Sequence, residues 1–255
     1  DEDHIVDLRL NILDKYVDYF VIVESSFTHK GDRRSLQFNS KKFEKFKEKI
    51  IYLVYDNRPK DIKEILSSDN EDIKSEKYIS NSILQENEQR NFILNGLKDA
   101  NEEDLILISD VDEIPNLERL EINKIDQKII MFRQEMFYYK FNLKLPNFFW
   151  TGTRACKKKY LKSPQWLRNI KARKYSFLRF DVLFSKTKFI NIKIIENGGW
   201  HFTYLKNANE IEYKLKSYLH HREYDLNPVS INEINNIIKN KIAIYDLTLD
   251  KRAQK

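Results

Sequence analysis

Leu105-Ile106-Leu107-Ile108-Ser109-Asp110-Val111-Asp112-Glu113 sets the reading of the whole chain: four aliphatic residues run straight into three carboxylates. Leu105–Ile108 has no polar face, which predicts a strand buried on both sides in a parallel or mixed sheet covered by helices. Ligands of such sheets bind beyond the carboxyl ends of the strands, where Ser109–Glu113 begins. Asp110 and Asp112 offer the oxygen ligands that Mg²⁺ and Mn²⁺ take, through one or two carboxylates plus substrate phosphates. An acidic pair also suits a solvated turn; the buried strand ahead of it favours the cation site.

The sequence upstream alternates. Residues 4–16 place Ile5, Leu8, Ile12 and Leu13 near one helical face, and Tyr19–Val23 reads as a buried strand ending at Glu24-Ser25-Ser26. Residues 26–40 read as a loop, 41–49 as a short basic helix, Ile50–Val54 as a strand and 76–98 as the longest helix. Helix and strand in alternation predict a doubly wound α/β unit. On the long helix, Glu86 and Arg90 are spaced for an i,i+4 surface pair, while the planar guanidinium of Arg90 also suits a diphosphate.

The sequence downstream is aromatic and β-rich over 128–140 and 147–154, then basic through 154–174, with a further strand at 188–195. Gly198-Gly199 precedes Trp200-His201-Phe202, and two helices are expected near 207–220 and 230–241. His201 reads either as a core histidine or as an imidazole completing a cation's shell. Trp150, Trp166 and Trp200 read as core, with stacking on a sugar face as the alternative. Lys157–Lys174 reads as a solvated face that could approach a charged acceptor, a phosphorylated lipid or a membrane surface.

A length of 255 residues suits one α/β domain with appendages. The net charge of +6 comes from interleaved rather than massed cations, and no nucleic-acid module signature occurs, so no nucleic-acid partner is expected. The single cysteine, Cys156, excludes an intrachain disulfide. No apolar run approaches the ~20 residues of a membrane span, and no signal-peptide pattern or Asn-x-Ser/Thr sequon occurs, so the expected location is cytoplasmic.

Four groups of residues together resemble glycosyltransferase family 17, which includes the N-acetylglucosaminyltransferase that adds the bisecting residue to N-glycans. They are Asp7–Asn11 with Val17–Ser25, Gln89-Arg90-Asn91 with Gly96-Leu97, Leu107–Pro115, and Gly199–Phe202 with Tyr204. The resemblance implies a single GT-A-type nucleotide-diphospho-sugar transferase domain over 1–255, with a mixed central sheet flanked by helices. Its nucleotide-sugar half would span 1–115, and its acceptor half with the C-terminal helices 116–255. It implies an inverting mechanism, a Mn²⁺ or Mg²⁺ cofactor and a UDP-sugar donor, UDP-N-acetylglucosamine by family precedent, with a glycan acceptor. It points to Asp110, Asp112 and His201 as metal residues, and to Glu24, Arg90, Asn91 and Asp110 as donor contacts. Similar proteins carry one more strand ahead of the segment that opens here at Asp1-Glu2-Asp3, so that strand is expected upstream of residue 1.

Inversion needs a carboxylate to take the acceptor's proton. Glu196 is the first choice, because its segment leads to His201; Asp181, Glu135 and Glu113 are alternatives. Glu113 could instead be held structurally by Arg133 or a helix end. Two other readings compete: phosphoryl or nucleotidyl transfer at the Asp-x-Asp pair, and a non-catalytic glycan-binding relative. An aspartyl phosphatase would carry its nucleophile on the first strand of the fold, and Leu105–Ile108 is preceded by two others.

Overall fold

The computed structural model describes residues 2–121, 125–176, 178–219 and 221–244. The first half alternates as expected. Helix α1 (Asp3–Leu13) leads to strand β1 (Phe20–Ser25), a 3-10 segment over Ser40–Lys49 and strand β2 (Ile50–Tyr55). Helix α2 (Glu71–Asn91) starts five residues earlier than the sequence suggested, because Asn70 caps it by accepting from the Ile73 N–H. It tightens into a 3-10 turn at Phe92–Gly96. Gly96 is required there, since a Cβ would run into Val21 of β1.

Strand β3 (Leu105–Ile108) follows, then β4 (Glu113–Pro115), β5 (Ile129–Phe132), β6 (Gln134–Tyr138), β7 (Lys144–Trp150) and β8 (Arg154–Lys157). Helices α3 (Pro164–Asn169) and α4 (Phe180–Leu183) precede β9 (Ile192–Ile195) and β10 (Gly199–Thr203). Helices α5 (Ala208–Ser217), α6 (His221–Leu226) and α7 (Ile231–Lys239) end the described chain. None of the helices among the described residues is long and apolar enough to cross a membrane.

The protein is a mixed α/β structure, but its strands form three sheets among the described residues rather than one central sheet. β1 and β2 pair in parallel; the others form the orders β3-β8-β5-β9 and β4-β10-β6-β7. Both larger sheets are mixed: β5 with β9 and β10 with β6 are parallel, and the remaining pairs are antiparallel. Each strand of one continues into a strand of the other across a short join: Ser109–Asp112, Arg133, Thr151–Thr153 and Glu196–Gly198. These four joins make a seam.

β5 shows why the seam is rigid. All four of its residues are buried, Ile130 and Phe132 in the core under α1, Ile129 and Met131 in the core under α3. Alternation along a strand sends successive side chains to opposite faces, and a fully buried aliphatic side chain contributes roughly 1.5–3 kcal/mol. β3 was expected to be covered equally on both faces and is not. Ile106 and Ile108 are buried in the α3 core, whereas Leu105 and Leu107 are half-buried. The difference is a cleft of about 2060 Å³ that runs between β1 and β3, lined by Phe20–Glu24 on one side and Leu105–Asp110 on the other.

Candidate active site

The turn after β3 sits on the seam. Glu113, fully buried, ties it together. One carboxylate oxygen accepts from Trp150 Nε1 (2.7 Å) and Arg168 Nη2 (2.9 Å), the other from Arg168 Nη1 (2.7 Å) and the Asp110 N–H (3.1 Å). Four donors fill a carboxylate's acceptor positions. The holder is therefore Arg168 with Trp150, not Arg133, which pairs with Glu196. Gly152 is part of the same knot: a Cβ there would overlap the Glu113 carboxylate.

Arg168 departs from the reading of Lys157–Lys174 as a solvated face. Only 10% of its side chain is exposed, and Nη2 also reaches Asp110 Oδ2 at 2.9 Å. Burial acts to lower its pKa, but Glu113 and Asp110 outweigh burial and raise it. Arg154, beside it, has its pKa pushed down to about 10 by burial. From the other side, Arg9 of α1 donates to Ser109 Oγ (2.5 Å) and to the Glu113 carbonyl.

Asp110 faces two guanidiniums, Arg168 and Arg90 (3.0 Å). Burial pushes its pKa up, yet Arg168 and Arg90 hold it well below the usual carboxylate range. Arg90 also donates to Glu86 (2.7 Å) and Gln165 (2.5 Å), and Asn91 accepts from the Gln165 N–H (2.9 Å). The i,i+4 pair expected of Glu86 and Arg90 thus exists, but 88% of the Arg90 side chain is out of solvent, inside the site rather than on a solvated face. Asn91 spans from α2 to the start of α3.

Asp112 turns the other way, to His201 on β10, with Oδ1 at 3.5 Å from Nε2. The pairing of β10 with β4 sets His201 opposite Glu113, and the Phe202 N–H donates to the Asp112 carbonyl (2.9 Å). Burial would lower the His201 pKa; Asp112, with Glu113 and Asp110 behind it, raises it instead. Burial likewise opposes ionisation of Asp112, and His201 and Lys214 overcome it, so its pKa is lowered. His201 Nδ1 is buried without a hydrogen-bond partner among the described residues. The Trp150 ring lies over His201 with centroids 5.2 Å apart.

Strand register decides which other carboxylates share this face. Gln134 pairs with Trp150 and Met136 with His201, so these side chains lie on one face. Glu135 pairs with Phe149 and Trp200, on the opposite face, and ion-pairs with Lys144. Glu196 pairs with Arg133 (3.3 Å), whose guanidinium covers Phe149. Asp181, on α4, is held by Arg179 and Lys188, which lower its pKa to about 2. Glu113 is saturated with donors. Glu24, at the end of β1, accepts from the N–H groups of Gln37 (2.7 Å) and Phe38 (3.0 Å) and from Tyr52 Oη (2.9 Å), pinning the loop after β1. Of the other tryptophans, Trp166 packs edge-on against Phe189 and Trp200 packs on the α1 core.

The arrangement sets a carboxylate–imidazole pair beside an arginine-bound carboxylate, with an open cleft leading to Asp110. A sequence model of glycosyltransferase family 17 matches residues 1–251 of the chain. The chain belongs to glycosyltransferase family 17. The glycosyltransferase has no match among curated proteins and none among solved structures. Sequence reading of this glycosyltransferase missed Arg168, whose signal was swamped by neighbouring lysines, and His29. His29 lines the cleft, and its pKa is lowered by burial, with Glu86 opposing.

Proposed function

We propose that this glycosyltransferase is metal-dependent and inverting, has a GT-A-type architecture, and moves N-acetylglucosamine from UDP-N-acetylglucosamine to a glycan hydroxyl. The convergence of Asp112 and His201 next to Asp110, which lines the β1–β3 cleft, carries this reading. Among the described residues no trio of His, Cys, Asp or Glu forms a closed cage. Two protein ligands with substrate phosphates completing the shell is how Mg²⁺ and often Mn²⁺ are held, and His201 Nε2 and Asp112 Oδ1 face one another at 3.5 Å. Asp112 and His201 thus fit the cation, while Asp110 is already neutralised by Arg90 and Arg168. When bound, the ion supplies Lewis-acid stabilisation of a departing diphosphate.

The chain's own residues do the positioning. Arg90 and Arg168 keep Asp110 ionised and fixed, while Glu113 keeps Arg168 in place. Trp150 shields the His201 ring and leaves 36% of its own surface exposed for a sugar face. Among the described residues β1 pairs only with β2 and β3 only with β8, so each turns an edge without a strand partner toward the cleft, and Glu2, Asp3 and Val6 at the start of α1 line it.

The test is release of UDP from UDP-N-acetylglucosamine over a panel of glycan acceptors, with Mn²⁺ and after chelation. Turnover with Mn²⁺, its loss on chelation and its loss in Asp112→Asn are expected. Undiminished turnover by Asp112→Asn would sink the metal assignment.

A further inference from the structure

Between α3 and β9 the chain makes an excursion that the site does not use. Its ends are tied: the Lys171 N–H donates to the Thr187 carbonyl (2.8 Å) and Trp166 Nε1 to the Lys186 carbonyl (3.1 Å). Beyond that neck three large apolar side chains stand in water, Leu178 at 70%, Phe180 at 78% and Phe184 at 89% exposure. Phe180 and Phe184 are four residues apart on and just beyond α4, which puts them on one face. Single exposed apolar residues are ordinary; three on one small element, this far out, mark a contact surface.

The charge around them selects the partner. Residues 171–190 hold six cations, Lys171, Arg173, Lys174, Arg179, Lys186 and Lys188, against one carboxylate, Asp181. Asp181 takes Arg179 (2.8 Å) and Lys188 (2.6 Å). The other four have no carboxylate partner among the described residues. Exposed aromatic side chains on a short segment rich in cations without carboxylate partners are the composition of an interfacial anchor: the rings enter the headgroup boundary and the cations meet anionic lipid. By contrast, Lys157 and Lys159 are both spent on Glu103.

We propose that the 171–188 excursion docks the protein onto an anionic lipid surface, with Phe180 and Phe184 inserted and Lys171, Arg173, Lys174 and Lys186 against the headgroups. The neck then has a consequence for the site. It is anchored on α3, whose Arg168 holds Asp110 and Glu113, so a docked excursion sets the catalytic face close to the lipid surface.

Cosedimentation with vesicles of phosphatidylcholine alone, or mixed with phosphatidylglycerol, tests this. The expected result is partition onto the mixed vesicles at low salt, loss at high salt, and little partition onto phosphatidylcholine alone. Replacing Lys171 and Lys174 with Ala should weaken partition about fivefold for each lysine. Phe180→Ser with Phe184→Ser should weaken it at least ~10-fold without changing Tm, because both rings are exposed. Absence of partition onto mixed vesicles, or equal partition by the Phe180/Phe184 variant, would overturn the proposal. So would light scattering that shows a dimer dissociated by that variant with no vesicle binding, since a second copy of the chain would then cover the patch.

Discussion

Arg168 and Glu113 set the behaviour of the site at the scale of the residue. Glu113 is fully buried, and Arg168 faces its carboxylate with two nitrogens. Removing one partner of a buried pair leaves an uncompensated charge and costs about 3–5 kcal/mol, far more than an exposed pair is worth. Arg168→Met should therefore lower stability by that order in a denaturant titration and abolish transfer. Glu113→Gln should do less harm to the fold, because an amide keeps the shape and one acceptor. His201 gives a pH signature in metal-free buffer. Its folded pKa is raised above 6.5, so its stabilisation is present in full below that value and lost as pH rises through the folded value. Asp112 is lowered from 3.8, so its share is present above that value and lost as pH falls through its folded value. The Tm gap between wild type and His201→Gln should be widest between 3.8 and 6.5 and shrink toward alkaline pH. A gap independent of pH would show that the pair contributes nothing.

Element by element, the sequence was most legible where burial is one-sided or complete. β3 was read to the residue, since four aliphatics in a row have no other use. The first two strands and α1 were found within a few residues, and β10 was seen as an aromatic segment with its glycines lying ahead of it. Gly199 begins that strand instead, at φ +119°, where its missing Cβ lets β10 pass the Ile114 carbonyl. What could not be read was pairing across the chain. That Trp150 would reach Glu113, or that Glu135 would face away from His201, depends on register between strands far apart in sequence. Capping was visible in principle: α5 opens with a reciprocal capping box between Asn207 and Glu210. This helix carries Lys214, whose charge helps keep Asp112 ionised. Asn207→Ala should cost about 1 kcal/mol and lower Tm by about 2–4 °C in a chain of this length, measurable by scanning calorimetry.

For the molecule as a whole, the family assignment and the geometry meet at one place. The acidic turn after β3 reads in sequence as a cation site, on its carboxylates and the buried strand ahead of them; the fold divides its roles. Asp110 pairs with the arginines, Glu113 ties the seam, and Asp112 faces His201, the pair proposed above to hold the cation. The same division explains why the expected proton acceptors did not gather there: Glu196, Asp181 and Glu135 each hold a cation elsewhere. The central claim, a donor site built on Asp112 and His201, is tested most directly by the thermal shift of the protein with UDP, with and without Mn²⁺. A ligand at 100 times its Kd adds about 2.7 kcal/mol of stability. UDP with Mn²⁺ should therefore raise Tm clearly in wild type, and should fail to do so after chelation or in Asp112→Asn. An equal rise without metal, or in Asp112→Asn, would contradict it.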